Sequence, residues 1–538
     1  MADLKESSTP ATPTTPLPNT IADVITNQAA QRPDATALTF VEAGGSVRSQ
    51  TYAEMERCSG LAANALLSVG VGRGDRVAVL AHNAPLYFEL AFAVSRIGAA
   101  LVGLNWRLAA PEIEVILDDA EPSLLVVDDD FHHLVPATQA GTMSTSDWRA
   151  TVDRSSAVDP VAEGRVPAAE PDDVVFILYT SGTTGAPKGA QLTNHNMAHS
   201  AWISGSAYGV TAASTNLVAM PLFHVGGMGY GLSAFFHGGR TVLRRDADPA
   251  AIVDDIETHR VTHAFFVPAV IQAILAVDGV RDRDLSSLEL LVYGAAPIGD
   301  AVLRRALDVL GCQFLQAYGM TETAGTIVTL PPEAHDPDGP RAALLRSCGR
   351  PLPWIELRIV DPDSITAGAP SDAPVGQVGE IWTRSAQNTP GYRNKPEATA
   401  ASITHHGWLR TGDAAYADED GYLFLFDRFK DMIVSGGENV YPAEVENVLY
   451  DHPDVAEVAV IGVPDERWGE TVKAVVVPAS GVSIDVDDLA GLCRSRLAGF
   501  KCPTSFDIAE ALPRNASGKV LKTELRAPYW VGHDRGIA

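Results

Sequence analysis

The sequence predicts an α/β fold: a large N-terminal domain of mixed sheets covered by helices, followed by a small α+β C-terminal domain. Three observations predict it. Short apolar runs alternate with helical stretches, the β-α pattern that builds parallel or mixed sheets. At 538 residues the chain exceeds one compact core and should divide. A charged break, Asp427-Arg428-Phe429-Lys430-Asp431, separates the long alternating region from a tail end, residues 431–538, that has helix and strand runs of its own.

Residues 1–19 are rich in Thr, Pro, Ser and Ala, have little apolar surface to offset the entropy of ordering, and read as a disordered tail. The N-terminal domain, 20–429, starts its pattern at Ile21. Arg76–Leu80 and Leu124–Val127 read as short buried strands. The most apolar segment, residues 86–105, carries Glu89 and Arg96, so no membrane-spanning helix is expected, while peripheral membrane contact stays open. Residues 137–171 read as a loose surface connection.

Residues 174–178, Val-Val-Phe-Ile-Leu, form the next strand, and from its end leaves Tyr179-Thr-Ser-Gly-Thr-Thr-Gly-Ala-Pro-Lys-Gly189. Glycines at 182, 185 and 189 permit close backbone approach, Thr180, Ser181, Thr183 and Thr184 offer hydroxyl donors, and Lys188 a cation. That is equipment for an anionic oligophosphate. No G-K-[ST] triplet occurs, so a Walker-type loop is not supported.

Further along, His224 sits in an apolar, glycine-rich stretch whose glycines at 226, 227, 229 and 231 suggest a roomy pocket. Leu290–Gly294 is a strand ending in the small-residue turn Gly294-Ala295-Ala296-Pro297, where a flat ligand can approach the backbone. Gln316-Ala317-Tyr318-Gly319-Met320-Thr321-Glu322-Thr323 follows a short strand and supplies an aromatic face, a hydroxyl and a carboxylate suited to a hard cation. Trp408-Leu-Arg-Thr-Gly-Asp413 sets a carboxylate on a turn, an acceptor for paired hydroxyls. In the C-terminal part, Ile433 to Asn439 carries the double glycine Gly436-Gly437, Pro442 to Tyr450 reads as a helix, Val455 to Ile461 and Val472 to Val477 as strands, and Lys519 follows a late turn.

A net charge of −27 argues against a nucleic-acid partner, whose phosphates the average surface would repel. Five dispersed cysteines without paired spacing indicate neither a disulfide framework nor a zinc site and fit a reducing cytoplasm. The first ten residues have no apolar signal core.

Taken together and in this order, YTSGTTGAPKG, YGMTET, WLRTGD, DRFKDMIVSGGENVYPAEVE and PRNASGKVLKTELR resemble the adenylate-forming superfamily, in particular acyl-CoA synthetases of the fatty-acid–CoA ligase type, over residues 21 to 527. The resemblance implies an AMP-forming acid–thiol ligase that uses ATP, Mg2+ and coenzyme A on a small-molecule carboxylic acid. It implies that Thr180, Ser181, Gly182, Thr183, Thr184, Gly185 and Lys188 hold the β- and γ-phosphates. Gly294, Ala295, Ala296, Pro297, Gln316, Ala317 and Gly319 border the nucleotide, with Tyr318 beside adenine. Thr321 touches the α-phosphate, Glu322 binds the metal, and Asp413 and Arg428 hold the ribose. His224 gates the acyl pocket and Lys519 is the catalytic lysine of adenylation. Lys430 is a hinge about which the small domain moves, Ser435, Gly436 and Gly437 line a pantetheine tunnel, Trp468 is a CoA contact, and Phe500-Lys501 meet the nucleotide end of CoA. The small residues beside His224, with Tyr293 to Ala295, favour a medium- or long-chain fatty acid; an aryl acid, a small thioether acid or a carrier-loading reaction are the alternatives. A homodimer is the assembly the resemblance suggests.

Overall fold

The computed structural model describes residues 17–531 apart from 43, 137–139, 181–186, 297, 429–430, 436–437, 466–467 and 515–519, together with the side chains of 300, 426–428, 434, 438 and 439. The ordered chain opens where the pattern opened. Thr20 caps the helix Ile21–Gln31 in a reciprocal box with Asp23, satisfying backbone donors that a helix start otherwise leaves bare.

Two large sheets dominate. The nine-stranded sheet runs Arg350–Pro351, Gly325–Leu330, Gln313–Met320, Leu290–Gly294, His263–Phe266, Thr215–Val218, Arg240–Arg244, Thr36–Val41 and Val47–Thr51. From Gln313–Met320 to Thr36–Val41 its neighbours are parallel, and the edges are antiparallel. The seven-stranded sheet runs Gly391–Tyr392, Lys188–Thr193, Val174–Thr180, Ala100–Gly103, Arg76–Leu80, Leu124–Val127 and Gly141–Ser144. A four-stranded antiparallel sheet, Glu356–Val360 through Leu423–Arg428, follows, and the C-terminal part forms its own sheet around the long pair Val455–Asp465 and Gly469–Pro478.

Packed on the strands Ala100–Gly103 and Val174–Thr180 lies the helix Pro85–Ile97, entered by a proline at its start and closed by Gly98 at φ 72°. Residues 86–97 are all buried. The two charges inside it are compensated: Arg96 is ion-paired with Glu56 and Asp159, and Glu89 with Arg149. No described helix is long and apolar enough to cross a membrane.

Several local expectations change. Residues 137–171 are not only loose connection: Gly141–Ser144 joins the second sheet, and the helix Thr145–Asp153 buries Trp148. The strand expected at 313–315 continues to Met320, so Tyr318 and Gly319 stand on a strand. The strand Leu423–Arg428 runs into the charged break, because Asp427 and Arg428 pair with Ala414 and Asp413. Asp413 likewise stands on the strand Leu409–Ala417, not on a turn; Gly412 at φ 72° kinks that strand just before it.

Candidate active site

The phosphate-loop segment closes a hairpin. Val174–Thr180 and Lys188–Thr193 pair antiparallel, with Thr180 opposite Lys188. Ser181, Gly182, Thr183, Thr184 and Gly185 lie outside the described residues. Gly189 is required by packing, since a Cβ there would sit 2.9 Å from the Tyr179 ring.

Lys188 Nζ stands 5.3 Å from the centroid of the Tyr392 ring, a cation–π distance. The Tyr392 hydroxyl donates to Glu322 Oε1 at 2.8 Å. Thus one tyrosine bridges the hairpin's cation and the acidic turn, residues that the sequence separates by more than a hundred positions. Glu322 is only 6 % exposed, and the one donor reaching its carboxylate among the described residues is that hydroxyl. A buried carboxylate served by one neutral donor is electrostatically undercompensated, and an all-oxygen acceptor of this kind fits Mg2+. Thr321 is buried beside it at the start of the short turn Thr321–Thr323. Gln387 Nε2 donates to the carbonyls of Thr323 and Thr326, and Thr389 N donates to the Glu322 carbonyl at 2.7 Å, so the turn is held from behind.

Gly294 and Ala317 are register partners, and a Cβ on Gly294 would lie 2.1 Å from the Ala317 carbonyl oxygen. Gly319 is equally constrained by the Gly325 carbonyl at 1.9 Å. Ala295 adopts φ 65°, a left-handed conformation that a non-glycine residue adopts at a cost, at the exit of the strand. Ala296 is half-buried, and Pro297 lies outside the described residues. Gln316 Oε1 accepts from the Tyr293 hydroxyl at 3.5 Å.

Tyr318 Oη donates to Asp413 Oδ2 at 2.7 Å. Burial first, and the Asp413 charge second, push the Tyr318 phenol well above its ordinary range, so it stays a donor. Asp413 is further oriented through its own N–H, which donates to Thr411 Oγ1, and by Glu380, which accepts from Gly412 N and from Arg410. Arg428 is the register partner of Asp413; its side chain lies outside the described residues.

His224 caps the helix Val225–His237, its Nδ1 accepting from Gly226 N at 3.4 Å. Burial lowers its pKa, which leaves the ring neutral with Nε2–H as donor. The glycines after it do not open space. A Cβ at Gly227 would meet the Pro221 carbonyl at 2.1 Å, at Gly231 the Phe88 ring at 2.8 Å, and at Gly226 the Phe265 ring at 3.2 Å; Gly229 has ordinary contact with the Ala324 carbonyl at 3.5 Å. They are small so that neighbouring groups can close in. Tyr293 does not line a pocket either: it is fully buried, and its hydroxyl bonds His335 Nε2 at 3.0 Å.

On the C-terminal side, Ser435 is half-buried and opposite Gly469, and Trp468 is 46 % exposed. Lys501 Nζ is engaged by Glu444 at 2.7 Å. Lys430, Gly436, Gly437 and Lys519 lie outside the described residues. Their flanks are tied together: Asp431 pairs with Arg526 at 2.7 Å, Lys522 with Glu446 at 2.9 Å, and Arg514 with Glu457 at 2.9 Å.

Lys188 and Glu322 are therefore linked through Tyr392, Tyr318 is joined to Asp413, and His224 caps the helix Val225–His237. Tyr392, Gln387 and Glu380 carry no spacing signal in the sequence, since a lone tyrosine on a two-residue strand or a lone glutamine between strands matches no motif; only the fold brings Tyr392 to Glu322.

The AMP-binding enzyme family matches residues 25–393, and the AMP-binding enzyme C-terminal domain matches residues 444–519. The chain is 42 % identical over 506 residues to a feruloyl-CoA synthase of Amycolatopsis sp, covering 93 % of this chain and 97 % of that one. It is 39 % identical over 500 residues to a fatty acid–[acyl-carrier-protein] ligase of Streptomyces coeruleorubidus, covering 90 % and 92 %. The crystal structure of ATP-bound MatB from Rhodopseudomonas palustris superposes with a TM-score of 0.84 at 29 % identity, covering 95 % of this chain and 100 % of that one.

Proposed function

The chain belongs to the AMP-binding enzyme family as an AMP-forming CoA ligase of the acyl-CoA synthetase type, and we propose that its substrate is a compact aromatic carboxylic acid. CoA ligases of this family use ATP, Mg2+ and CoA. The observation that carries the acid class is the packing of the helix Val225–His237. Its glycines are filled by Pro221, Phe88 and Phe265, and its buried neighbourhood is aromatic, with Tyr230 5.8 Å from Phe265 and 6.2 Å from Tyr208 between ring centroids. Such walls suit a planar ring better than the medium or long alkyl chain first expected. The identity to a feruloyl-CoA synthase supports the same choice.

In this reading the carboxylate oxygen of the acid attacks the α-phosphorus of ATP, the bond to the β-phosphate oxygen breaks, and pyrophosphate leaves. The sulfur of CoA then attacks the carbonyl carbon of the acyl-adenylate, AMP leaves with the bonding pair, and the thiol proton goes to solvent. The first step brings two anions together, so the site works by positioning and charge neutralisation. Thr180, Lys188 and the loop 181–185 take the phosphates. Tyr318 lies beside the base and aims Asp413 at the ribose hydroxyls, with Arg428 opposite. Gly294, Ala295, Ala296, Pro297, Gln316, Ala317 and Gly319 let the nucleotide lie against backbone. Thr321 contacts the reacting phosphate, Glu322 holds Mg2+, which supplies charge neutralisation at the phosphates, and Lys519 is brought in by the C-terminal domain. Residue 430 divides the chain at a hinge, with 20–429 and 431–538 as the two bodies. Its turning presents Ser435, Gly436, Gly437 and Trp468 to CoA. The five free cysteines accord with a cytoplasmic location, and a homodimer completes the proposal.

The test is CoA-dependent ATP consumption with acetate, octanoate, palmitate, benzoate, cinnamate and phenylacetate, with identification of the nucleotide product. AMP and pyrophosphate with an aryl acid ahead is the expected result. Palmitate ahead would restore the long-chain reading, AMP formation indifferent to CoA would indicate carrier loading, and ADP would overturn the mechanism.

A further inference from the structure

Buried tyrosine hydroxyls find partners. Tyr52 donates to the Gly239 carbonyl at 2.6 Å, Tyr87 to the Ala81 carbonyl at 3.2 Å, Tyr293 bonds His335, and Tyr208 bonds Thr326 Oγ1 at 2.6 Å. Tyr230 is the exception among the described residues: it is 7 % exposed, and its hydroxyl is buried with no hydrogen-bond partner. Leaving such a group unpaired costs about 1–3 kcal/mol, and phenylalanine would fill the same volume without that cost. The hydroxyl is therefore present at a cost to stability, which points to a partner that arrives from outside the chain.

Its surroundings say where that partner lies. Tyr230 stands four residues beyond Gly226, on the same helix face and roughly 6 Å further along the axis from the end that His224 caps. Both positions face Phe265, whose ring would touch a Gly226 Cβ and lies 5.8 Å from the Tyr230 ring. The adjoining Gly229 backs onto the Ala324 carbonyl, directly after the turn that carries Thr321 and Glu322. Tyr208, the other aromatic neighbour, has its hydroxyl committed to Thr326. So the free hydroxyl is set deeper than His224, in the aromatic shell that borders the acidic turn. Burial holds its pKa well above the usual tyrosine value, so it acts as a donor throughout the working range.

We propose that the Tyr230 hydroxyl is a specificity-determining hydrogen-bond donor to an oxygen at the end of the acyl group remote from its carboxylate, such as a phenol, methoxy or keto oxygen on the ring. The inference rests on the reading that the Val225–His237 helix borders the acyl group, and it narrows the substrate class to oxygen-substituted acids. Sites that hydrogen-bond a substrate oxygen discriminate strongly against analogues lacking it, because the protein group is then left unpaired.

The experiment compares wild type with Tyr230→Phe on two matched pairs, 4-hydroxycinnamate against cinnamate and 10-hydroxydecanoate against decanoate, reading kcat/KM from CoA-dependent AMP release. Wild type should favour the oxygenated member, and Tyr230→Phe should lower that preference about 5- to 100-fold, with a Tm equal to or above wild type because an unpaired buried group has been removed. If the ring pair is inactive and the chain pair carries the activity, the aryl-acid reading fails, while the Tyr230 inference stands or falls on the same double ratio. An unchanged preference overturns the inference and assigns the hydroxyl to a bound water. Equal loss on both members of a pair also overturns it, as does a lowered Tm. Activity with neither pair overturns both readings.

Discussion

Tyr318 donates its hydroxyl to Asp413 at 2.7 Å, and that bond is what aims the carboxylate assigned to the ribose. Hydrogen bonds to charged groups are worth roughly 1.5–3 kcal/mol. Tyr318→Phe should therefore lower kcat/KM for ATP about 10- to 100-fold and leave the KM for CoA in place, a difference that steady-state kinetics reads directly. His335 makes a second single-residue prediction. It is buried between the Tyr293 hydroxyl on Nε2 and the Pro331 carbonyl on Nδ1, and burial pushes its pKa down to about 4. Because the folded pKa lies below the ordinary 6.5, the contribution to stability is complete above pH 6.5 and is lost as pH falls through that value toward 4. At pH 5 the loss from this one group amounts to about 2 kcal/mol. His82, His199, His224, His237, His259 and His263 are shifted in the same direction by burial, so the whole protein should lose stability on mild acidification. His335→Gln should flatten the fall of Tm between pH 7 and pH 5.

The helix Val225–His237 illustrates how an element's composition can be misread. Its run of glycines looks like an allowance for a large ligand, yet Gly227 exists because the Pro221 carbonyl lies 2.1 Å from where its Cβ would be, and Gly231 because the Phe88 ring of the buried helix Pro85–Ile97 does the same at 2.8 Å. Small residues here let two helices and a turn close on one another. Gly227→Ala should cost about 1–3 kcal/mol, as overpacking does, whereas Gly229→Ala, with ordinary contact at 3.5 Å, should be close to neutral. Urea denaturation midpoints of the two variants separate the packing account from a pocket account, which predicts altered acid preference in both and stability loss in neither. Strand length is the other lesson at this level. Gln313–Met320 extends through Tyr318 because its antiparallel partner Gly325–Leu330 pairs with those residues, a partner found only after the chain reverses.

For the molecule as a whole, the adenylation and thioester steps need different neighbours around one substrate, and the hinge proposed at residue 430 would supply them. The segment just after residue 430 and the helix just after residue 519 are joined by the buried Asp431–Arg526 pair, so in the proposed mechanism the two would move together. Lys519→Ala should slow adenylation by a factor on the order of 100 to 1,000 while sparing attack of CoA on preformed acyl-adenylate. Lys430→Pro should do the reverse, impairing thioester formation far more than adenylation. Single-turnover assays of each half-reaction test both variants, and uniform losses would refute domain alternation.

The motifs were legible in the sequence because each is local: hydroxyls, glycines and a lysine within one loop, or an aromatic and a carboxylate a few residues apart. Such strings also place the strands that carry them, since Arg76–Leu80, Leu124–Val127 and Leu290–Gly294 are apolar runs whose burial needs no knowledge of the partner strand. What a glycine or a tyrosine is for depends instead on who approaches it. Only the tertiary structure decided that the glycines of Val225–His237 admit neighbours, that Tyr293 belongs to the core, that Tyr392 joins Lys188 to Glu322, and that Tyr230 alone among the described tyrosines has a buried hydroxyl oxygen without a partner. The physical reason is that local chemistry is written in neighbouring residues, whereas burial, close approach and hydrogen-bond satisfaction are properties of contacts between segments far apart in the chain.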